Sequence, residues 1–168
     1  MFRTFAYPTA GAVLLLVVVM TAPSSAREIT PTVPERPSKS RPGVGIGRIE
    51  VLVVCIDRRA DKRRSDWSPA VIELIEIGEP AIPAVLGLMT TEDELTRRRA
   101  EQVLRSVTMR MYGFIPGQGW AKPADQWEWR KFWYELGNLD ATAPLEKREA
   151  SVELWRKWLA GRAKPEGR

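Results

Sequence analysis

The sequence predicts an all-α domain. Two observations carry that expectation. From Arg48 onward the apolar residues recur at i, i+3, i+4 and i+7, the spacing that lines one face of a helix. The segments with this spacing are also punctuated, by proline or a short polar residue at their starts and by glycine at their ends. Not all of the 168 residues belong to this domain.

Residues 1–26 have the layout of a secretory signal peptide. Arg3 gives a positive start, Ala10 to Met20 form a short apolar core, and Ser24 and Ala26 occupy the small-residue positions before an expected cut between Ala26 and Arg27. The apolar run is shorter than the roughly 20 residues of an ordinary spanning helix. An uncleaved membrane anchor is the alternative reading. The single cysteine, Cys55, lies far from the cut, which argues against a lipoprotein. The expectation is an exported protein of the periplasm, the cell envelope or the extracellular space, whose N-terminal signal or anchor contacts the membrane before cleavage. Residues 27–47, "REITPTVPERPSKSRPGVGIG", read as a linker. Pro31, Pro34, Pro37 and Pro42 favour extended backbone, and Gly43, Gly45 and Gly47 follow them. "GVGIG" lacks both a preceding strand and the spacing of a nucleotide-binding loop.

The domain proper is expected over residues 48–161. "RIEVLVVCIDRRAD" places Ile49, Leu52, Val53 and Ile56 on one helical face, although its β-branched content also permits a buried strand. In "WSPAVIELIEIG", Ser68 suits the N-cap, Pro69 the first helical position and Gly78 the stop; Val71, Leu74 and Ile75 form the stripe. "IGEPAIPAVLGLM" carries two prolines beside an apolar stripe. A proline in the first turn loses little, because N–H groups there have no intrahelical acceptor. Pro80 and Pro83 therefore mark the start of a helix set hard against Gly78, with Ile82, Val85, Leu86 and Met89 on its face. In "TTEDELTRRRAEQVLRSVTMRMYG", Thr91 as N-cap and Glu94 three residues later make a capping box. Ala100, Val103, Leu104, Val107 and Met111 line the buried face, and Gly113 ends the helix. Residues 114–124 read as a Gly/Pro-rich loop. "DQWEWRKFWYELG" follows, capped by Asp125, with Trp129, Phe132, Trp133 and Leu136 inward. The last helix starts at Thr142 and Pro144, buries Leu145, Val152, Trp155 and Leu159, and stops at Gly161; residues 162–168 form a polar tail.

Residues 71–107 resemble a HEAT or HEAT-like repeat. The first helix of the pair is "PAIPAVLGLM", the turn is "TTED" and the second helix begins at "ELTRRRAEQVL". The repeat positions are Pro80 and Pro83 in the first helix, then Asp93, Arg97, Ala100 and Leu104. Thr96 stands where such repeats usually place a β-branched residue just before the arginine. Residues 106–160 look like the tail of exported bacterial HEAT-repeat domain proteins, through "VTMRMYGF" and "ASVELWRKWLAG"; the "DQWEWRKFWYELG" helix does not belong to that pattern. The resemblance implies a short α-solenoid of HEAT-like helix pairs with a Trp-rich C-terminal helical cap that seals the open end of the stack. It also implies binding of a partner through a helical face, without catalysis, and names no ligand.

Composition narrows the chemistry. The chain has no histidine and one cysteine, so the commonest general base, the commonest metal ligand and an intrachain disulfide are all missing. Neither a cofactor nor a metal site is expected. The net charge is +5, and loss of residues 1–26 removes one basic residue and no acidic one. That mild basicity suits anionic partners or plain solubility. Acidic pairs at Glu73/Glu76 and at Glu92, Asp93 and Glu94 have no nucleophile or glycine cradle beside them, so no catalytic residue is assigned. Cys55 sits in an apolar run as a buried thiol.

Among the aromatics, Trp129, Trp133 and Trp155 fall on buried stripes. Trp127 and Trp158 lie off them and Trp120 is in the loop, so these three are candidate stacking residues. The basic runs Arg58, Arg59, Lys62 to Arg64 and Arg97 to Arg99 are interleaved with Asp57, Asp61 and Glu101; they read as solvated faces, with Arg98 and Arg99 part of the candidate binding surface. Arg97, four residues from Asp93, is expected to pair with it. The expected partner is an unknown protein, with an envelope polymer such as a carbohydrate as the alternative and no nucleic acid.

Overall fold

The computed structural model describes residues 45–58 and 66–163. The signal segment, most of the linker, the basic run Arg59 to Arg64 and the end of the tail lie outside the described residues. The described residues form six α-helices: α1 (Ile46–Val54), α2 (Pro69–Ile77), α3 (Ile82–Leu86), α4 (Glu94–Met111), α5 (Pro123–Glu135) and α6 (Leu145–Ala163). Among the described residues one small hairpin, β1 (Phe114–Ile115) with β2 (Gly119–Trp120), is the exception to an all-α fold. No helix among the described residues is long and apolar enough to cross a membrane.

The segment that admitted either helix or strand is helical, and it starts at Ile46, within the stretch read as linker. It buries Ile49 and Leu52, with Ile56 just beyond. α2 starts and stops as its residues predict: the Ser68 hydroxyl accepts from the Val71 N–H, and Gly78 closes the helix at φ 82°. Between α2 and α3 there is only a 3₁₀ turn, Glu79–Ala81. A second 3₁₀ turn, Gly87–Thr90, continues α3, so the Pro80/Pro83 segment is one helical stretch tightened at both ends. Ala81, Ile82, Val85, Leu86 and Met89 are all buried there.

The start of α4 differs from expectation. Its N-cap is Asp93, whose Oδ2 accepts from the Thr96 N–H at 2.6 Å. Thr91 sits too early, because the 3₁₀ turn runs up to Thr90, and its hydroxyl instead donates to the Leu88 carbonyl at 2.9 Å. Glu94 then falls in the first turn and pairs with Arg98. Asp125 does not cap α5 either. Pro123 fixes the start two residues earlier, with Lys122 at the N-cap, and Asp125 is buried. In the expected loop, "IPGQ" makes a turn with Pro116 second and Gly117 third at φ 81°, closed by the Gln118 N–H on the Ile115 carbonyl; this turn builds the hairpin. α6 runs past Gly161 to Ala163, and Leu145 is exposed.

Three buried arginines stitch this packing. Arg97 does not turn to Asp93. Its guanidinium donates to the carbonyls of Ala141, Thr91 and Glu92, tying the α5–α6 loop to the start of α4. Arg99 is 1% exposed and donates to the Ile56 carbonyl and to Asp57 Oδ1, clamping the end of α1. Arg148 of α6 donates to the carbonyls of Ala143 and Met89. Each guanidinium meets oxygen acceptors, as a buried cation requires. Cys55 is half-buried against the core.

Candidate binding face on the fifth helix

The aromatic residues divide into a packed seam and an exposed fringe. The seam starts at the hairpin, where Phe114 meets Trp120 at 5.3 Å between centroids. It continues through Trp120–Trp129 and Trp129–Trp133, each at 5.7 Å, and Trp133–Trp155 at 5.4 Å. Phe132, Trp155 and Trp158 close it as three edge-on pairs at 5.2–5.7 Å. The indole N–H groups of Trp133, Trp155 and Trp158 are buried with no acceptor among the described residues. Burial also pushes the Tyr112 phenol, which packs on Phe132, well above its usual range, with Glu128 and Glu135 adding to the effect.

This arrangement removes Trp158 from the candidate surface. It is 2% exposed, and the Arg162 guanidinium lies over its ring. Its position reads as off-stripe only if α6 buries a single narrow face; α6 in fact buries both Trp155 and Trp158 against Phe132. Arg99 is removed for the same reason, since it is buried at the end of α1. Arg98 stays exposed but is engaged by Glu94. Trp120 is half-buried between Phe114 and Trp129. Trp127 is the candidate that the structure leaves open, at 71% exposure.

Trp127 is not alone. Tyr134, 77% exposed, stands seven residues along α5, with Arg130 and Lys131 between them. These four occupy i, i+3, i+4 and i+7, one outward stripe. Seven residues at the helical rise separate the two rings by about 10 Å along the axis. The stripe borders an open cleft of about 600 Å³, with Trp129 and Trp133 on its floor and Arg105 of α4 at its side. Arg105 lies over Trp133 at 5.5 Å and Arg130 over Trp127 at 5.8 Å. Three cations and no acid line the cleft, together with Asn138. Tyr134, Arg130 and Lys131 were absent from the sequence-based candidates. The signal for them was the complement of the buried stripe, the outward i, i+3, i+4, i+7 set of the same helix.

The end of α5 holds this face in place. The Asn138 N–H bonds to the Trp133 carbonyl and the Gly137 N–H to the Tyr134 carbonyl, a Schellman arrangement with Gly137 at φ 83° and Asn138 at φ 48°. The Ser151 hydroxyl donates to the Leu136 carbonyl, pinning that turn on α6. Glu73 is taken up by a two-pronged pair with Arg48, 25 residues earlier in the sequence. Among the described residues no group of His, Cys, Asp or Glu side chains is placed to hold a metal ion. A second cleft, of about 660 Å³, lies beside Pro80, Pro83 and Leu159 and is bridged by Arg162 and Glu79. No family model, no curated protein and no solved structure matches the chain.

Proposed function

We propose that this chain is an exported, non-catalytic binding module, a short HEAT-like α-solenoid that engages a protein partner through the outward face of α5. One observation carries the reading: Trp127, Arg130, Lys131 and Tyr134 form a solvent-facing stripe beside an open basic cleft. Tryptophan, tyrosine and arginine are the residue types enriched where protein interfaces concentrate their binding energy. Trp127 and Tyr134 bury little against the fold, so core packing does not account for them. The solenoid assignment is supported by the tight α2–α3 junction at Gly78 and by packing of α4 against both α2 and α3. A second reading, binding of a carbohydrate or cell-wall polymer, is favoured by the exposed rings of Trp127 and Tyr134. The test is photo-crosslinking in the native envelope from position 134, with position 146, on α6, as the control. Protein adducts specific to 134 are expected. Repeated capture of glycan and no protein from 134 would transfer the assignment to the second reading.

A further inference from the structure

The chemistry of the α5 face narrows the kind of partner, given the binding reading above. Trp127 does not present a bare ring, because the Arg130 guanidinium lies over it. The floor rings are also covered in part: Trp129 sits between Trp120 and Trp133, and Arg105 lies over Trp133. A neutral sugar stacks on an open aromatic face, and two of the four rings here, Trp127 and Trp133, carry a cation over one face. A guanidinium over an aromatic ring, by contrast, is held in place while its N–H edges stay free for a carboxylate. Among the described residues no hydrogen bond or ion pair engages the Arg130 guanidinium. Lys131 is 75% exposed and only loosely matched by Glu135 at 3.7 Å; Arg105 is shared with Glu101 at 3.1 Å. Exposed pairs of this kind are worth little and exchange readily.

The chain's own Pro-rich segment is a poor occupant. Residues 27–47 carry Arg27, Arg36, Lys39 and Arg41 against Glu28 and Glu35, the same sign of charge as the cleft. We infer that the α5 face binds an acidic protein segment, whose carboxylates meet Arg130 and Lys131 while its apolar or aromatic side chains pack between Trp127 and Tyr134. The roughly 10 Å between the two rings is spanned by three to four residues of extended chain.

The probe is a fluorescein-labelled twelve-residue peptide of alternating aspartate and tyrosine, read by anisotropy. The controls are its lysine–tyrosine counterpart and sodium polygalacturonate, an acidic glycan. The acidic peptide is expected to bind and to weaken steeply as salt rises from 50 to 500 mM. Arg130→Glu and Lys131→Glu are expected each to weaken it by about tenfold or more, since reversal sets like charges together. Both positions are solvent-exposed, so unchanged melting curves verify that the variants fold. Equal binding of the lysine–tyrosine peptide overturns charge recognition. Binding of polygalacturonate but not of the peptide, with the same dependence on positions 130 and 131, overturns the acidic-segment assignment and leaves the α5 binding face standing. No binding by any probe, or binding indifferent to these substitutions, overturns both.

Discussion

Replacing Trp155 tests the packed seam that supports the candidate face. Trp155 is fully buried and meets Phe132, Trp133 and Trp158 edge-on at 5.4–5.7 Å. A tryptophan buries about 150–250 Å², worth about 4–6 kcal/mol at 25 cal/mol per Å² if all of it were lost. Alanine keeps part of that area, and measured Trp→Ala losses run at about 3–5 kcal/mol. One contribution opposes the loss. The Trp155 Nε1–H is buried without an acceptor among the described residues, and deleting such a group relieves about 1–3 kcal/mol. Trp155→Ala should therefore cost about 3 kcal/mol, toward the low end for its class. Trp155→Phe keeps a ring for the edge contacts and discards the N–H, so its net cost should stay near 1 kcal/mol. Urea unfolding followed by far-UV circular dichroism measures both, with unchanged m-values as the check that only stability moved. Equal losses of 3 kcal/mol or more for both variants would mean that the indole N–H makes a strong bond, and the acceptor-free packing described above would be wrong.

Trp127→Ala should leave stability within about 0.5 kcal/mol, as expected for an exposed position, while Trp120→Ala should cost measurably more because it strips the ring packed on Trp129 and Phe114; thermal melts of the pair decide it. Gly137→Ala should lose more stability than Gly117→Ala. Both glycines hold positive φ, but a Cβ at 137 meets Ser151 at 3.1 Å whereas one at 117 meets nothing within 4 Å; similar losses of about 1–2 kcal/mol would remove the role given to the α5–α6 pin. Acid should destabilise the fold partly through Asp93 and Asp140. The hydrogen bonds each accepts, from Thr96 and from Thr142, hold both carboxyls below their ordinary value. Their contribution is complete above the unfolded carboxyl pKa, near 4, and is lost as pH falls through the lower folded value, so Asp140→Asn and Asp93→Asn should flatten the melting-temperature profile below about pH 4.

Helix existence was legible in the sequence because each buried stripe is paired with a chemical start or stop. Ser68, Pro69 and Gly78 define α2 without reference to anything distant. The misreadings arise where local signals compete. Thr91 and Asp93 are both good caps, and the choice fell to the length of the preceding 3₁₀ turn. Pro123 and Asp125 competed in the same way at α5. The site was less legible. Arg99 and Arg97 look like members of a surface run, yet each also reaches a carbonyl 43 or 44 residues away in sequence, which no local pattern reveals. Trp158 lies off a narrow stripe but inside a wide one, since α6 is covered on two sides. Trp127 was legible because it lies off the buried stripe of its own helix, and the same reasoning extended round α5 yields Arg130, Lys131 and Tyr134.

The seven tryptophans provide the most direct test of the proposed binding face. In a ¹⁵N-labelled sample each indole N–H gives its own resonance. On addition of the aspartate–tyrosine peptide, the Trp127 signal should move in a saturable, salt-sensitive manner, with smaller shifts at Trp129, while Trp155 and Trp158 stay still. Shifts centred on Trp158, beside the Pro80 and Arg162 cleft, with Trp127 unmoved would contradict the account.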